Sequence, residues 1–309
     1  MNFEEFVEEV KSRIKNYLPD RYASASVSTN QINKIGEIYL GLAVKTADMA
    51  AVPMINLNQF YEEFRGDMDE LLREVSGIIT SNEMFEDTSW LLDYDNVKEH
   101  LFVRISNTER NAGILENAPH RNMEDLSMTY HIRVDVPGKG QASTLITNQA
   151  LKMYGISEEE LHHDALINSM KIFPAYLNTM DEMVGDILTH NPDMGMIPNP
   201  LPYGNALLVL TNEEKTNGAS ALFYPGIMDV IANIMKGDYF ILPSSIHEVI
   251  LMPKRMGKSV EELEQIVKNA NKTNVSSNEF LSNHVYHYDA KERLFERGDK
   301  YEARMNDLY

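Results

Sequence analysis

Four polar residues within the stretch "ILPSSIHEVILMP", residues 241–253, are of types that could carry out catalysis. Ser244 or Ser245 could act as a nucleophile, His247 as its base and Glu248 as the acid that orients the base, as in a serine hydrolase. The stretch lacks the G-x-S-x-G pattern that exposes a nucleophilic serine on a sharp turn. Because proline and serine also form turns, we favour a polar hairpin turn and keep the hydrolase as an alternative.

A second polar group lies in "NHVYHYDAKE", residues 283–292. In a strand, His287 and Asp289 would share one face, so a metal ion could meet an imidazole and a carboxylate there, with His284 nearby. The alternative, which we favour, is a polar rim on an edge strand.

Three further motifs fail on closer inspection. "MGKS" resembles the end of a phosphate-binding loop, but the glycine required five positions earlier is Met252. A zincin H-E-x-x-H would need a second histidine where Leu251 stands. Adjacent side chains at His162, His163 and Asp164 diverge around a helix rather than converge on one ion. We therefore predict no cofactor.

Composition narrows the class of protein. The chain has 309 residues with 28 basic and 47 acidic side chains, a formal net charge of -19. That charge repels nucleic acid and anionic membranes, so we predict neither as a partner and consider a protein partner possible. There is no cysteine, no apolar run of about 20 residues, and the first 18 residues form one amphipathic stripe rather than a signal peptide. We expect a cytoplasmic protein whose oligomeric state the sequence leaves open.

The elements that position these residues follow a recurring order. Alternating runs that predict strands precede a helical pattern three times, ending in helices near 58–79, 148–168 and 256–270. The middle pair of strands flanks a turn at 137–140, and the third pair flanks the turn at 244–248. We therefore predict an α+β fold of repeated β-hairpin-plus-helix units, with mostly antiparallel sheets covered by helices. The similarity could reflect duplication or shared helix-start chemistry.

Prolines and glycines predict the domain organisation. Residues 191–204 contain four prolines and two glycines, which favours a connection between an N-terminal α+β domain, 1–190, and a C-terminal one, 205–309. After it, we predict a hairpin over 205–224 and a helix from Pro225. The C-terminal segment from 288 predicts a helix with one apolar face, formed by Leu294, Tyr301, Met305 and Leu308.

Several stretches together resemble a known family. "INLNQFYEEF", "NAPHRNMEDLSMTYHI", "GDYFILPSSIHEVILMP" and "NVSSNEFLSNHVYHYDAKERLFE" are similar to an uncharacterised bacterial family, number 5688 among the domains of unknown function, found mostly in anaerobic gut bacteria. The resemblance runs from "FEEFVEEV" to "RLFERGDKYEAR". It implies a bacterial, cytoplasmic origin and carries no activity, substrate or catalytic residue.

The leading functional hypothesis is a non-enzymatic protein-interaction or regulatory module. One alternative is a hydrolase or metal-dependent enzyme with a site around 243–248 and 284–289. Another is a small-molecule sensor with an apolar pocket between the two halves of the chain, near the proline-rich stretch 191–204.

Overall fold

A computed structural model describes residues 1–47, 54–81, 89–136, 140–180 and 206–307. By its contacts the chain divides into two compact units, residues 1–97 with 135–142 and residues 98–134 with 143–309. The predicted connection at 191–204 lies outside the described residues. Strands on either side of it, Ala175–Thr179 and Leu208–Asn212, pair antiparallel with each other. The division by contacts therefore falls at other positions than the predicted domain bounds.

The first unit is a small sheet packed against helices. Its elements are α1 (Phe3–Arg13), β1 (Ser26–Lys34), β2 (Glu37–Lys45), β3 (Ile55–Asn56), α2 (Leu57–Glu63), α3 (Met68–Ser81) and α4 (Tyr94–Val97). The three strands are antiparallel in the order β1-β2-β3. Asn2 begins α1 through a capping box with Glu5, which satisfies amides that have no partner within the helix. Phe6 and Leu72 bury against Leu42 of β2 in a common apolar core.

The second unit contains two sheets. Its strands are β4 (Leu101–Asn107), β5 (His120–Met123), β6 (Leu126–Val136), β7 (Gly140–Leu145), β8 (Ala175–Thr179), β9 (Leu208–Asn212), β10 (Tyr239–Pro243), β11 (Val249–Pro253), β12 (Tyr286–Asp289) and β13 (Leu294–Arg297), although the end of β6 and the start of β7 group with the first unit by contacts. Its helices are α5 (Ala112–Leu115), α6 (Asn148–Tyr154), α7 (Glu158–Ile172), α8 (Ile227–Met235), α9 (Val260–Asn274) and α10 (Gly298–Asn306). Six strands form the sheet β13-β12-β10-β11-β9-β8, and β4, β5 and β7 flank β6 in the other.

Helix α7 covers the outer edge of β4. The hydroxyl of Ser169 accepts a hydrogen bond from the Val103 amide at 2.9 Å, and Asn168 Nδ2 donates to the Leu101 carbonyl at 2.9 Å. These side chains supply, for the Val103 amide and the Leu101 carbonyl, the partners that a further strand would otherwise provide.

The predicted α+β class with antiparallel sheets and helices is confirmed. The predicted hairpin at 238–253 is confirmed as β10 with β11, and β7 pairs with β6 as predicted, while residues 137–139 of the turn predicted between them lie outside the described residues. Strands precede a helix in all three predicted segments, yet the structure does not establish duplication, and the repeat stays a prediction. Among the described helices none combines the length and apolar character needed to cross a membrane.

Two local predictions are wrong. Residues 205–224 do not form a hairpin, because only Leu208–Asn212 is a strand, and Gly218–Phe223 is a 3-10 helix after a left-handed Asn217. The C-terminal segment is not one helix, because β12 and β13 pair over residues 286–297 before α10 begins at Gly298. Leu294 therefore lies on a strand, while Tyr301 packs as expected against the core of its own unit.

Candidate functional site

The first predicted polar group lies on the turn between β10 and β11. Ser245 closes this turn, because its amide donates to the Glu248 carbonyl at 3.3 Å and its Oγ accepts from the His247 amide at 3.0 Å. Ser244 is partly buried on the same turn. The hydroxyl best placed to be a nucleophile is thus used to hold the local backbone.

His247 ties the turn to two other segments. Its Nδ1 accepts a hydrogen bond from the Asn217 amide at 3.1 Å, so in the neutral ring the proton lies on Nε2, 3.4 Å from Glu279 Oε1. The His247 carbonyl accepts from Thr211 Oγ1 at 2.8 Å. Within the described ranges no hydrogen bond joins the His247 ring to Ser245. The residues are neighbours in sequence, but the nucleophile-to-base contact of a hydrolase is not formed.

The second predicted group splits into two places. His284 Nδ1 lies 3.0 Å from Glu264 Oε1, and Lys268 Nζ donates to the other oxygen of that carboxylate at 2.8 Å. His287 lies instead on β12, with Nδ1 3.3 Å from Glu296 Oε1. His284 therefore does not share a site with His287.

An arginine joins Asp289 to Glu296, the acid that His287 contacts. Arg304 donates through Nη2 to Asp289 Oδ2 at 3.0 Å and to Glu296 Oε1 at 2.5 Å, and through Nε to Glu296 Oε2 at 3.2 Å. Tyr301 of the same helix stacks on His287, with ring centroids 3.9 Å apart. The cation between the two carboxylates is thus a guanidinium, which fastens α10 to the sheet, while His287 contacts Glu296 directly.

The interpretation of this group as a polar rim is wrong for His287. Strand β12 lies between β10 and β13 rather than at an edge, and His287 is 0% exposed. Burial lowers its pKa, although the Glu296 hydrogen bond opposes that shift. In the described part of the chain no group of three or more His, Asp or Glu side chains is placed to hold a metal ion.

A polar face of the four-stranded sheet was not anticipated. In the antiparallel register of β4 and β6, Arg104 lies opposite Thr129, and Ser106 lies opposite Ser127. Directly opposed residues share a face, and His131 continues it two positions along β6. Ser106, Ser127, Thr129 and His131 are all buried, and Arg104 is partly buried. We call these five residues the polar sheet face.

Within the described part of the chain, some polar atoms of this face are paired with each other or with Ser143, and two are not. Thr129 Oγ1 lies 3.0 Å from His131 Nε2, and Arg104 Nη2 donates to Ser143 Oγ at 2.9 Å. By contrast, Arg104 Nε and Ser106 Oγ are buried and have no hydrogen-bond partner among the described residues. Leaving such groups unpaired costs about 1–3 kcal/mol each, so both are candidates to contact a ligand.

Arg104 also has no counter-ion among the residues that the structure describes. No carboxylate among the described residues lies within the 4.0 Å limit of an ion pair with it, and its Cζ lies 5.3 Å from the ring centroid of Phe102. Burial lowers the pKa of Arg104 to about 10, so the side chain stays charged at neutral pH. The pKa of His131 lies well below its ordinary value because of burial and the positive charge of Arg104. The face therefore carries one positive charge that is not neutralised locally.

Sequence reasoning missed this face for a physical reason. In β6, the apolar residues Leu126, Met128, Tyr130 and Ile132 alternate with polar ones. Such alternation is typical of a strand whose polar side faces water. The only available signal was Arg104 itself, a charged residue within the largely apolar run "LFVRISN". One strand cannot show that its polar side is covered.

Comparisons with known proteins identify the family alone. No curated protein and no solved structure matches the chain. A model described as a family of unknown function, DUF5688, matches residues 3–290. Because that match covers most of the 309 residues, the chain belongs to the DUF5688 family of unknown function.

Proposed function

We propose that the protein is a non-enzymatic regulatory module that senses a small ligand within its second unit. A bacterial cytoplasmic setting, expected from the family resemblance, is part of this proposal. The observation that carries it is the positive charge of Arg104, which lies on a buried polar surface with no acid of the described ranges within ion-pair distance.

An unpaired buried charge is costly, so a protein that needed it only for folding would be expected to supply a carboxylate. Arg104 instead keeps Nε without a partner among the described residues, next to the unpaired hydroxyl of Ser106. A ligand that accepts hydrogen bonds would satisfy both. The arrangement is typical of a binding site in which a few fixed polar groups select the ligand.

The hydrolase and metal-dependent alternatives have weaker support. Ser245 and His247 are used in the β10–β11 turn, and Arg304 lies between the acids near His287. Sensing needs no such catalytic contact.

A thermal-shift screen of metabolites tests the proposal. A ligand that binds only the native state, at 100 times its Kd, adds about 2.7 kcal/mol of stability. For a unit of this size, that corresponds to a rise in Tm of about 5–11 °C. A broad screen in which no compound raises the Tm would count against the sensing function.

A second candidate function is docking to a basic protein partner. The formal net charge of -19 supports it, because opposite charge accelerates and steers association. A pull-down from bacterial lysate at low and at physiological salt would test it. We expect a stoichiometric basic partner whose recovery falls with salt; its absence at both salt concentrations would contradict this candidate.

A further inference from the structure

We propose that the polar sheet face binds the carboxylate of a small monoanionic organic acid, held by Arg104 and Ser106. This inference rests on the proposed sensing function and names its ligand class. The carboxylate is the charged group of that ligand.

The charge of the site selects a monoanion. Arg104 supplies one positive charge that no described acid balances, whereas Arg133, on the same strand face as His131, already lies 3.5 Å from Glu214. A single guanidinium balances a single negative charge. A dianion such as phosphate would bring a second negative charge into a chain whose formal net charge is already -19.

The geometry of the donors selects a carboxylate. The Nε–H of Arg104 shares one edge of the planar guanidinium with Nη2, a nitrogen with two N–H groups that also donates to Ser143, and such an edge matches the two oxygens of a carboxylate. Ser106 lies two residues along the same strand, so its hydroxyl is on the same face and adds a donor. The neighbouring imidazole of His131 is neutral, because its pKa is well below 6.5, and therefore does not draw a second negative charge.

Burial of the face selects a small ligand. Ser106, Thr129 and His131 are at most 4% exposed, so the unpaired donors lie beneath the surface rather than on it. A large partner could reach such donors only by opening the sheet. The two donors lie two residues apart on one strand, which suits the two oxygens of one small acid.

The test compares three probes in thermal-shift assays on the full chain. The probes are sodium benzoate, neutral benzamide and inorganic phosphate. Each is added at constant ionic strength up to about 50 mM, a concentration at which binding with a millimolar Kd is detected. We expect benzoate alone to raise the Tm of the wild type. The Arg104→Gln variant should lose that shift. Arg293→Gln, which removes an exposed charge of the same unit, should keep it.

Two further variants keep the proposal testable if Arg104→Gln folds poorly. Arg104→Lys keeps the charge but removes the two-donor edge, so the benzoate shift should shrink at least several-fold. In the absence of ligand, Arg104→Met should have a Tm equal to or above that of the wild type, because it removes an unmatched charge. A structural role for Arg104 predicts the opposite.

The outcomes separate this inference from the function on which it rests. If benzoate shifts the Tm equally in the wild type and in Arg104→Gln, or has no effect on either, the carboxylate site is refuted. If neutral compounds or phosphate raise the Tm regardless of Arg104, sensing stands and this ligand class is wrong. If no compound in the wider metabolite screen raises the Tm, both proposals fail.

Discussion

The Arg304 network offers the sharpest test of how the C-terminal helix is held. Glu296 is 5% exposed, and Arg304 satisfies both of its carboxylate oxygens while also binding Asp289. Replacing Arg304 with Met leaves the buried Glu296 with only its contact to His287. Removing one partner of a buried ion pair costs about 3–5 kcal/mol. Because the Arg304 side chain is 29% exposed, water compensates in part, and we expect a loss of about 2–3 kcal/mol.

Urea denaturation of the full chain, followed by circular dichroism, measures this loss. For a unit of this size it corresponds to a fall in Tm of about 4–12 °C. The matched control is Lys291→Met, which breaks the ion pair between Lys291 and Glu292. The Lys291 side chain is 90% exposed and the Glu292 side chain is 57% exposed. An exposed pair contributes at most about 1 kcal/mol, so this control should scarcely change the free energy of unfolding.

A double variant distinguishes an unpaired acid from lost packing. In the single variant Arg304→Met, the buried charge of Glu296 has lost its partner. Adding Glu296→Gln removes that charge, so part of the stability should return. Equal free energies of unfolding for Arg304→Met and the wild type would refute the reasoning. A double variant less stable than Arg304→Met would show that packing, not charge, fastens α10.

Three further predictions concern pH, the turn and a close contact. His131 and His287 have folded pKa values below the ordinary 6.5, so the unfolded chain binds their protons more readily than the folded one. Their contribution to stability is therefore complete above pH 6.5 and is lost as the pH falls. Each histidine should lower the free energy of unfolding by up to about 1.4 kcal/mol for every pH unit below 6.5. Denaturation at pH 8 and pH 5.5 checks this, and equal stability at both would contradict it. Ser245→Ala should lower the free energy of unfolding by about 1 kcal/mol, because it removes the hydroxyl that accepts from the His247 amide. Hydrolysis of a model ester should stay at its background rate in the wild type and in the variant. An ester activity of the wild type that the variant abolishes would instead support the hydrolase. Gly298→Ala should cost about 1–3 kcal/mol, because the new Cβ would lie 2.6 Å from Val260 Cγ1, and an unchanged Tm would show that α10 can shift at no cost.

The sequence alone was sufficient where the signal is local. The amphipathic stripe of the first 18 residues predicts a helix, and the buried face of α1 follows from that stripe. The β10–β11 hairpin is equally local, because proline and serine lie between two apolar strands. Such features depend on residues a few positions apart, whose geometry the backbone dictates.

Longer-range pairing could not be derived in the same way. The pattern of Leu294 and Tyr301 fits one helical face, but residues 294–297 pair with β12 as a strand before α10 begins. Asn217 and Gly218 resemble a hairpin turn, yet the segment after them forms a 3-10 helix against β9. In both cases a neighbouring strand, absent from the local pattern, decided the outcome.

The candidate site shows the same division. Sequence determined which side chains could do chemistry and that His287 and Asp289 would share a strand face. Only the tertiary structure decided that Arg304 lies between the acids and that the polar side of β6 is buried. Arg104 has a distinctive environment because Thr129 lies opposite it and no acid folds onto it in the described part of the chain. Burial and pairing depend on segments far apart in the chain, and those distances are set only when the whole unit folds.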